Sequence, residues 1–135
     1  MIMDIVIVAQ YLRDIEDFEG NNSRFVYLAK MLTSKYDNKV EIITSDFNHM
    51  NKKHFLKVGE LPGIKVTALH ESGYPRNICL KRFVSHKELS KNVEKYLIRR
   101  AKPDVIYCAV PSLDVADVVA TYCRKNDVRF IADIQ

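Results

Sequence analysis

Met3-Asp4-Ile5-Val6-Ile7-Val8-Ala9 is the stretch on which the fold turns. After Asp4 it is apolar throughout and rich in β-branched residues, and at this length it reads as a strand rather than a helix. It shows no polar alternation, which points to a strand buried on both faces, as in a parallel sheet. Four later stretches read the same way: Lys39–Thr44 (KVEIIT), Ile64–Leu69 (IKVTAL), Asp104–Cys108 (DVIYC) and Val128–Ile134 (VRFIADI). Helical patterns separate most of them. Asn22 or Ser23 can cap a helix running to about Tyr36, with Phe25, Leu28, Ala29 and Leu32 on one face.

A longer helix is expected over Ile78–Ala101, where Phe83, Leu89, Val93, Tyr96 and Leu97 recur near helical spacing and Pro103 provides the stop. Ser112 is a plausible cap for a third helix to Asn126, packed through Val115, Val118, Val119 and Tyr122. Ser45–Gly63 is polar and lacks periodicity, so it reads as a loop with at most a short helical turn. Alternating strands and helices with right-handed crossovers give an α/β fold. The expected architecture is a doubly wound, Rossmann-like parallel sheet of about five strands in the order 3-2-1-4-5, with helices on both faces. Its switch point lies between strands 1 and 4.

Length and composition agree with one soluble globular domain. The 135 residues are 47% apolar and 28% charged, and the longest clean apolar run, Ile5–Ala9, falls far short of the roughly 20 residues of a membrane span. Asp4 stands where a signal peptide would carry a basic residue. Cys79, Cys108 and Cys123 form no CxxC pair and read as reduced thiols of a cytoplasmic protein. The chain stops directly after its fifth strand, so a fragment of a larger protein is expected.

Charge is unevenly placed. The whole chain carries 21 Lys+Arg and 17 Asp+Glu, a net +4. Residues 76–102 hold nine basic residues and two acidic ones, a local +7, while the rest, with twelve basic and fifteen acidic, carries −3. This segment reads as a solvated amphipathic face or as a surface attracted to anionic lipid head groups. Nucleic-acid binding is not expected, because its two aromatics, Phe83 and Tyr96, are better used in the core.

Ligands of such sheets sit at the carboxyl ends of the strands near the switch point. That selects Gln10–Arg24 and Ala109–Asp114, then Ser45–His49 and His70–Asn77. Gly20-Asn21-Asn22-Ser23 directly precedes a helix, whose free N–H groups favour an anion such as phosphate, although a plain turn and cap fit the same residues. The sequence contains no GxGxxG, GxxxxGK[ST], HExxH or GxSxG motif and no Cys/His spacing of a metal site. Ser112 has no histidine near it in sequence and reads as a cap rather than a nucleophile.

Several stretches together resemble a known family. They are Gly20–Phe25 (GNNSRF) with Leu28, Ala29 and Leu32; Val40–His49 (VEIITSDFNH); His70–Tyr74 (HESGY) with Asn77 and Lys81–His86 (KRFVSH); and Pro103–Tyr107 (PDVIY) followed by Pro111-Ser112. Their order and spacing are similar to the N-terminal domain of GT-B fold glycosyltransferases of the retaining family 4 type, as found in capsular polysaccharide and O-antigen gene clusters. The resemblance covers essentially the whole chain.

It implies an enzyme that moves a sugar from a nucleotide-sugar donor to a glycan or lipid-linked acceptor, with no further cofactor and no metal. Residues 1–135 would be the acceptor-side domain, and a donor-binding C-terminal domain would lie outside the chain. Gly20, Asn21 and Asn22 would lie near the donor diphosphate. His49, Glu71, Tyr74, Asn77, Arg82 and His86 would line or support the acceptor side, with Ser112 at the inter-domain cleft. Asn21 stands where the family often has a second glycine, and Ala109-Val110-Pro111-Ser112 lacks the histidine many relatives carry there, so no catalytic base is assigned. A lipid-linked acceptor would place the protein at the inner membrane surface and give the basic helix a role. A sugar-nucleotide 2-epimerase of the same fold, or a non-catalytic module binding anionic surfaces, are the alternatives.

Overall fold

The computed structural model describes residues 2–21, 23–110 and 112–134, so Asn22 and Pro111 lie outside the described residues. Its elements are β1 (Asp4–Val8), α1 (Arg24–Ser34), β2 (Lys39–Ser45), β3 (Phe47–Asn48), β4 (Lys53–His54), β5 (Lys65–Leu69), α2 (Leu80–Arg99), β6 (Val105–Ala109), α3 (Leu113–Asn126) and β7 (Arg129–Asp133). Five strands form one parallel sheet in the order β5-β2-β1-β6-β7, which is the expected 3-2-1-4-5 arrangement once the short hairpin is set aside.

The alternation of strand side chains divides the core in two. Ile5 and Ile7 face α1 together with Val40 and Ile42, closing over Val26 and Ala29. Val6, Val8, Ile43 and Ile106 face the other way, onto Leu89, Val93 and Leu97 of α2 and Val115, Val119 and Tyr122 of α3. A central strand must feed both layers, which is why β1 carries no polar alternation. The three cysteines are free. Burial pushes the Cys108 thiol up to about 12 and the Cys123 thiol up to about 11, so both behave as small apolar core residues.

At the amino end of the sheet, one arginine ties three elements. Arg100, just past α2, donates from Nε to Glu41 of β2 (2.6 Å) and from its terminal nitrogens to Asp4 of β1 (2.8 and 3.1 Å). Burial favours a neutral Glu41, but hydrogen bonds from Thr67, Tyr96 and Arg100 outweigh it and hold its pKa below the ordinary value. This staple fixes the direction of α2. Its carboxyl end lies at the start of β1, so its amino end lies at the carboxyl edge of the sheet.

Four local readings differ from the sequence expectation. Ser45–Gly63 contains an antiparallel hairpin, β3 with β4, pairing Phe47 with His54 and Asn48 with Lys53. The polar-looking loop after β1 buries Leu12, Ile15 and Phe18 almost completely. Phe83 is 68% exposed rather than in the core. Twenty helical residues extend about 30 Å against about 17 Å for a five-residue strand, so the first turn of α2 overshoots the sheet and leaves Phe83 nothing to pack on. Finally, β5 and β7 are the two edge strands and neither is doubly buried: no residue of either is fully buried.

Candidate functional site

The carboxyl ends of β1, β2 and β5 and the overshooting turn of α2 enclose a cluster of aromatic and imidazole groups. Tyr11 follows β1, His49 sits in the hairpin, Tyr74 follows β5, and Arg82 and His86 are one turn apart on α2. Arg82 Nη2 donates to the Tyr11 hydroxyl (3.3 Å), which lies 3.2 Å from His86 Nε2. A guanidinium can only donate, so the Tyr11 hydroxyl accepts from Arg82 and shares a second hydrogen bond with His86 Nε2. Burial, reinforced by the charges of Arg82 and His49 and opposed by Asp114, pushes the His86 pKa down to about 4. Its imidazole is therefore neutral at pH 7.

The second imidazole follows the same logic. The Tyr74 hydroxyl is 2.5 Å from His49 Nδ1. Burial raises the Tyr74 pKa far above its ordinary value, so the phenol keeps its proton. Burial, with Lys52 and Arg82 nearby, lowers the His49 pKa. The Tyr11 and His49 rings stack with centroids 4.5 Å apart, and Tyr74 meets His86 edge-on at 5.6 Å. The arrangement presents two cations, Arg82 and Lys52, beside the Tyr74 ring (5.9 and 5.5 Å from its centroid) among neutral hydrogen-bonding rings, a surface suited to hydroxyl groups and an anion.

Beneath it lies a buried carboxylate. Glu71 is 1% exposed and accepts from Ser45 Oγ (2.5 Å), from Ser85 Oγ, and from Gln10 Nε2 at 3.4 Å. These partners come from β2, α2 and the end of β1, so Glu71 locks three elements beneath the aromatic layer. Gln10 Oε1 is the buried side-chain acceptor without a partner among the described residues. Gly73 passes the chain between Glu71 and Tyr74 with φ +87°, and a Cβ there would come within 2.5 Å of the Phe47 ring.

The expected residues divide among neighbouring cavities. Gly20 and Asn21 line one of about 380 Å³ with Tyr11, Arg13 and Ser23, at the start of α1. Ser23 caps that helix by accepting from the Phe25 N–H (3.2 Å), and Gly20 adopts φ +74°. Asn77, Arg82, His86 and Ser112 line a second cavity of about 450 Å³ with Phe83 and Leu113. His49 lines a third, about 190 Å³, which shares Tyr11 and Arg13 with the first. Glu71 and Tyr74 are buried below these openings and support them. Asn22 lies outside the described residues. Ser112 is the cap of α3, its Oγ 3.5 Å from the Val115 N–H. A further cavity of about 550 Å³, lined by Lys65, Lys95, Tyr96 and Arg99 among others, runs along the basic flank of α2 and belongs to none of these.

Gln10, Tyr11, Ser45 and Ser85 lie within stretches the sequence selects (Gln10–Arg24, Ser45–His49 and Lys81–His86), but nothing there singles them out one by one. The two serines acquire a role only once the fold sets them on Glu71. Equally silent was the meeting of Asp46, His54 and His70, whose ligating atoms lie within 4.8 Å of one another.

No known family profile matches the chain, and no curated protein matches it in sequence. Among the solved structures similar to it is the catalytic domain of starch synthase IV from Arabidopsis thaliana bound to ADP and acarbose, with a TM-score of 0.66 at 16% identity. The chain has the Rossmann-like fold found in GT-B glycosyltransferases. The match covers 100% of this chain and 34% of that structure, so these residues span about a third of its length. At this identity the likeness concerns the fold.

Proposed function

We propose that these residues form the N-terminal, acceptor-side domain of a retaining glycosyltransferase of the family 4 type, which moves a sugar from a nucleotide-sugar donor to a lipid-linked glycan in surface polysaccharide synthesis. The observation that carries the reading is the pair of cavities joined through Tyr11 at the switch point. One offers a glycine turn, Arg13 and a helix start, groups that suit a diphosphate, with Asp14 also on its wall. The other offers Arg82, neutral His86 and the Asn77 amide, the groups that suit sugar hydroxyls and a phosphate-bearing acceptor.

In this reading Gly20 and Asn21, with Asn22, approach the donor diphosphate. Asn77, Arg82 and His86 bind the acceptor, His49 borders it, Glu71 and Tyr74 hold the others in place, and Ser112 faces the cleft. The nucleotide sugar is a co-substrate and no cofactor takes part. Catalysis rests on positioning and on stabilising the leaving diphosphate. A donor-binding domain supplied by further sequence completes the cleft, so the 135 residues alone transfer no sugar.

No helix among the described residues is long and apolar enough to cross a membrane. Contact with the inner membrane surface would instead use α2, where Lys81, Lys87, Lys91, Lys95 and Arg99 are exposed, each worth roughly 1 kcal/mol on an anionic surface. Exposed Leu80, Phe83 and Val84 add an apolar wedge beside them. Sedimentation with vesicles checks this: binding to anionic but not neutral vesicles is expected, and equal weak binding to both contradicts it.

Amide-resolved NMR titration tests the site itself. Nucleoside diphosphates should shift Tyr11, Gly20, Asn21 and Ser23, while phosphorylated sugars should shift Asn77, Arg82 and His86. Shifts confined to other surfaces, or none, would contradict the reading.

A further inference from the structure

Asp46, His54 and His70 come from three separate elements, and the fold brings them together by register. Asp46 follows β2 and His70 follows β5, adjacent strands in which Ser45 pairs with Leu69; the Asp46 N–H donates to the Leu69 carbonyl at 2.9 Å. His54 enters from the hairpin, opposite Phe47, the residue after Asp46. Spacings of eight and sixteen residues match no linear metal motif, which is why the sequence is silent here.

The geometry is close to a coordination sphere. His70 Nδ1 is 2.8 Å from Asp46 Oδ2, and His54 Nε2 is 3.9 Å from Asp46 Oδ1. A tetrahedral ion with bonds of about 2.1 Å holds its ligand atoms about 3.4 Å apart, a value these two distances straddle. The imidazole rings lie nearly parallel, 19° apart, with centroids separated by 5.6 Å. The carboxylate is also oriented from behind, because the Glu71 N–H donates to Asp46 Oδ1 at 3.1 Å. Such support of a ligating group is what a metal site requires. In the metal-free chain His54 Nε2 donates to the Glu71 carbonyl at 2.7 Å; an ion on Nε2 replaces that proton and leaves the carbonyl beside it as a fourth donor atom.

We propose that Asp46, His54 and His70 bind a divalent transition-metal ion of the zinc type. Two imidazoles and one carboxylate form a borderline N/O donor set, which favours Zn²⁺ or Co²⁺ over Mg²⁺ or Ca²⁺ with their all-oxygen shells. His70 ligates through Nδ1 and His54 through Nε2. Three protein ligands leave a position for water, for the Glu71 carbonyl or for a ligand oxygen. Bound there, the ion clips the hairpin that carries His49 to the exit of β5, one residue before Glu71. The proposal does not depend on the sugar-transfer reading.

The test uses the 135-residue chain without a histidine tag. Co²⁺ is titrated while its visible absorption is followed, and Zn²⁺ binding is measured by equilibrium dialysis. One equivalent of either ion is expected, with Zn²⁺ displacing Co²⁺ and excess Mg²⁺ displacing neither. His70→Ala should weaken binding at least tenfold, and the His54→Ala/His70→Ala pair should abolish saturable binding. His70 is 60% exposed and His54 41%, and neither belongs to the two core clusters, so the variants should keep the far-ultraviolet circular dichroism of the parent chain and melt, metal-free, close to it. Retained one-to-one binding in the double variant overturns the proposal. So does a Co²⁺ spectrum with thiolate charge-transfer bands, which would assign the ion to cysteine, or the absence of saturable binding in the parent chain.

Discussion

Gly73 combines two constraints that no other residue type meets at once. Its backbone sits at φ +87°, and the Phe47 ring occupies the space of a Cβ. Gly73→Ala should therefore cost about 2–4 kcal/mol, adding left-handed strain to overpacking, and denaturant titration checks this. Gly20→Ala, with φ +74° but nothing within 4 Å, should cost only the strain of about 1–2 kcal/mol. His86 gives a pH prediction. Its folded pKa is pushed down to about 4, below the ordinary 6.5, so the unfolded chain binds the proton more readily. Stability is unaffected by His86 above pH 6.5 and falls as the pH drops from there towards 4, by on the order of 2 kcal/mol. His49 acts in the same direction, whereas His70, its pKa raised mainly by the hydrogen bond to Asp46, acts in the opposite one. The His86→Gln variant should thus show a shallower loss over this window than the parent chain, and an unchanged slope would contradict the burial argument. At this scale the sequence was legible for Gly20, read as a turn before a helix and found at φ +74°, whereas Arg82 and His86 entered only through the family resemblance. Ser45 and Ser85 carried no signal, since a serine acquires its role only from the carboxylate placed beside it.

Among the elements, the strands and helices were legible because burial on both sheet faces leaves an unambiguous apolar run, as in Ile5–Ala9, and because Pro103 and Ser112 punctuate the chain. The hairpin over Phe47–His54 was not, because two-residue strands are too short to show a period. Nor were the anchors Leu12, Ile15 and Phe18, spaced three residues apart among acids and hidden in a segment polar on average. Phe83 misled for a geometric reason: it shares the helical stripe of His86, Ser90 and Val93 but lies beyond the sheet that stripe packs on. The Arg100 staple yields an element-scale prediction. Arg100→Met removes the cation facing Asp4 and the 3%-exposed Glu41, leaving that buried carboxylate only the solvent-exposed Lys65, 3.9 Å away, as a charge partner. The expected loss is about 3–5 kcal/mol by denaturant titration. Replacing Glu41 with Gln in that background should restore part of it, and additive losses would contradict the coupling.

Across the whole molecule, the uneven charge acquires a direction. The basic face belongs to α2, whose amino end carries Arg82 and His86 into the site and whose flank presents the lysines outward. In the proposed reading this single helix both binds the acceptor and meets an anionic membrane surface. The sugar-transfer reading is tested most directly by expressing the complete reading frame that contains these residues and supplying it with radiolabelled nucleotide sugars and membrane lipid extract. Label should move into the lipid-linked fraction with retained anomeric configuration, and Arg82→Ala should reduce that transfer at least tenfold while leaving the melting temperature near that of the parent. Failure to transfer from any nucleotide sugar, or transfer indifferent to Arg82, would contradict the account.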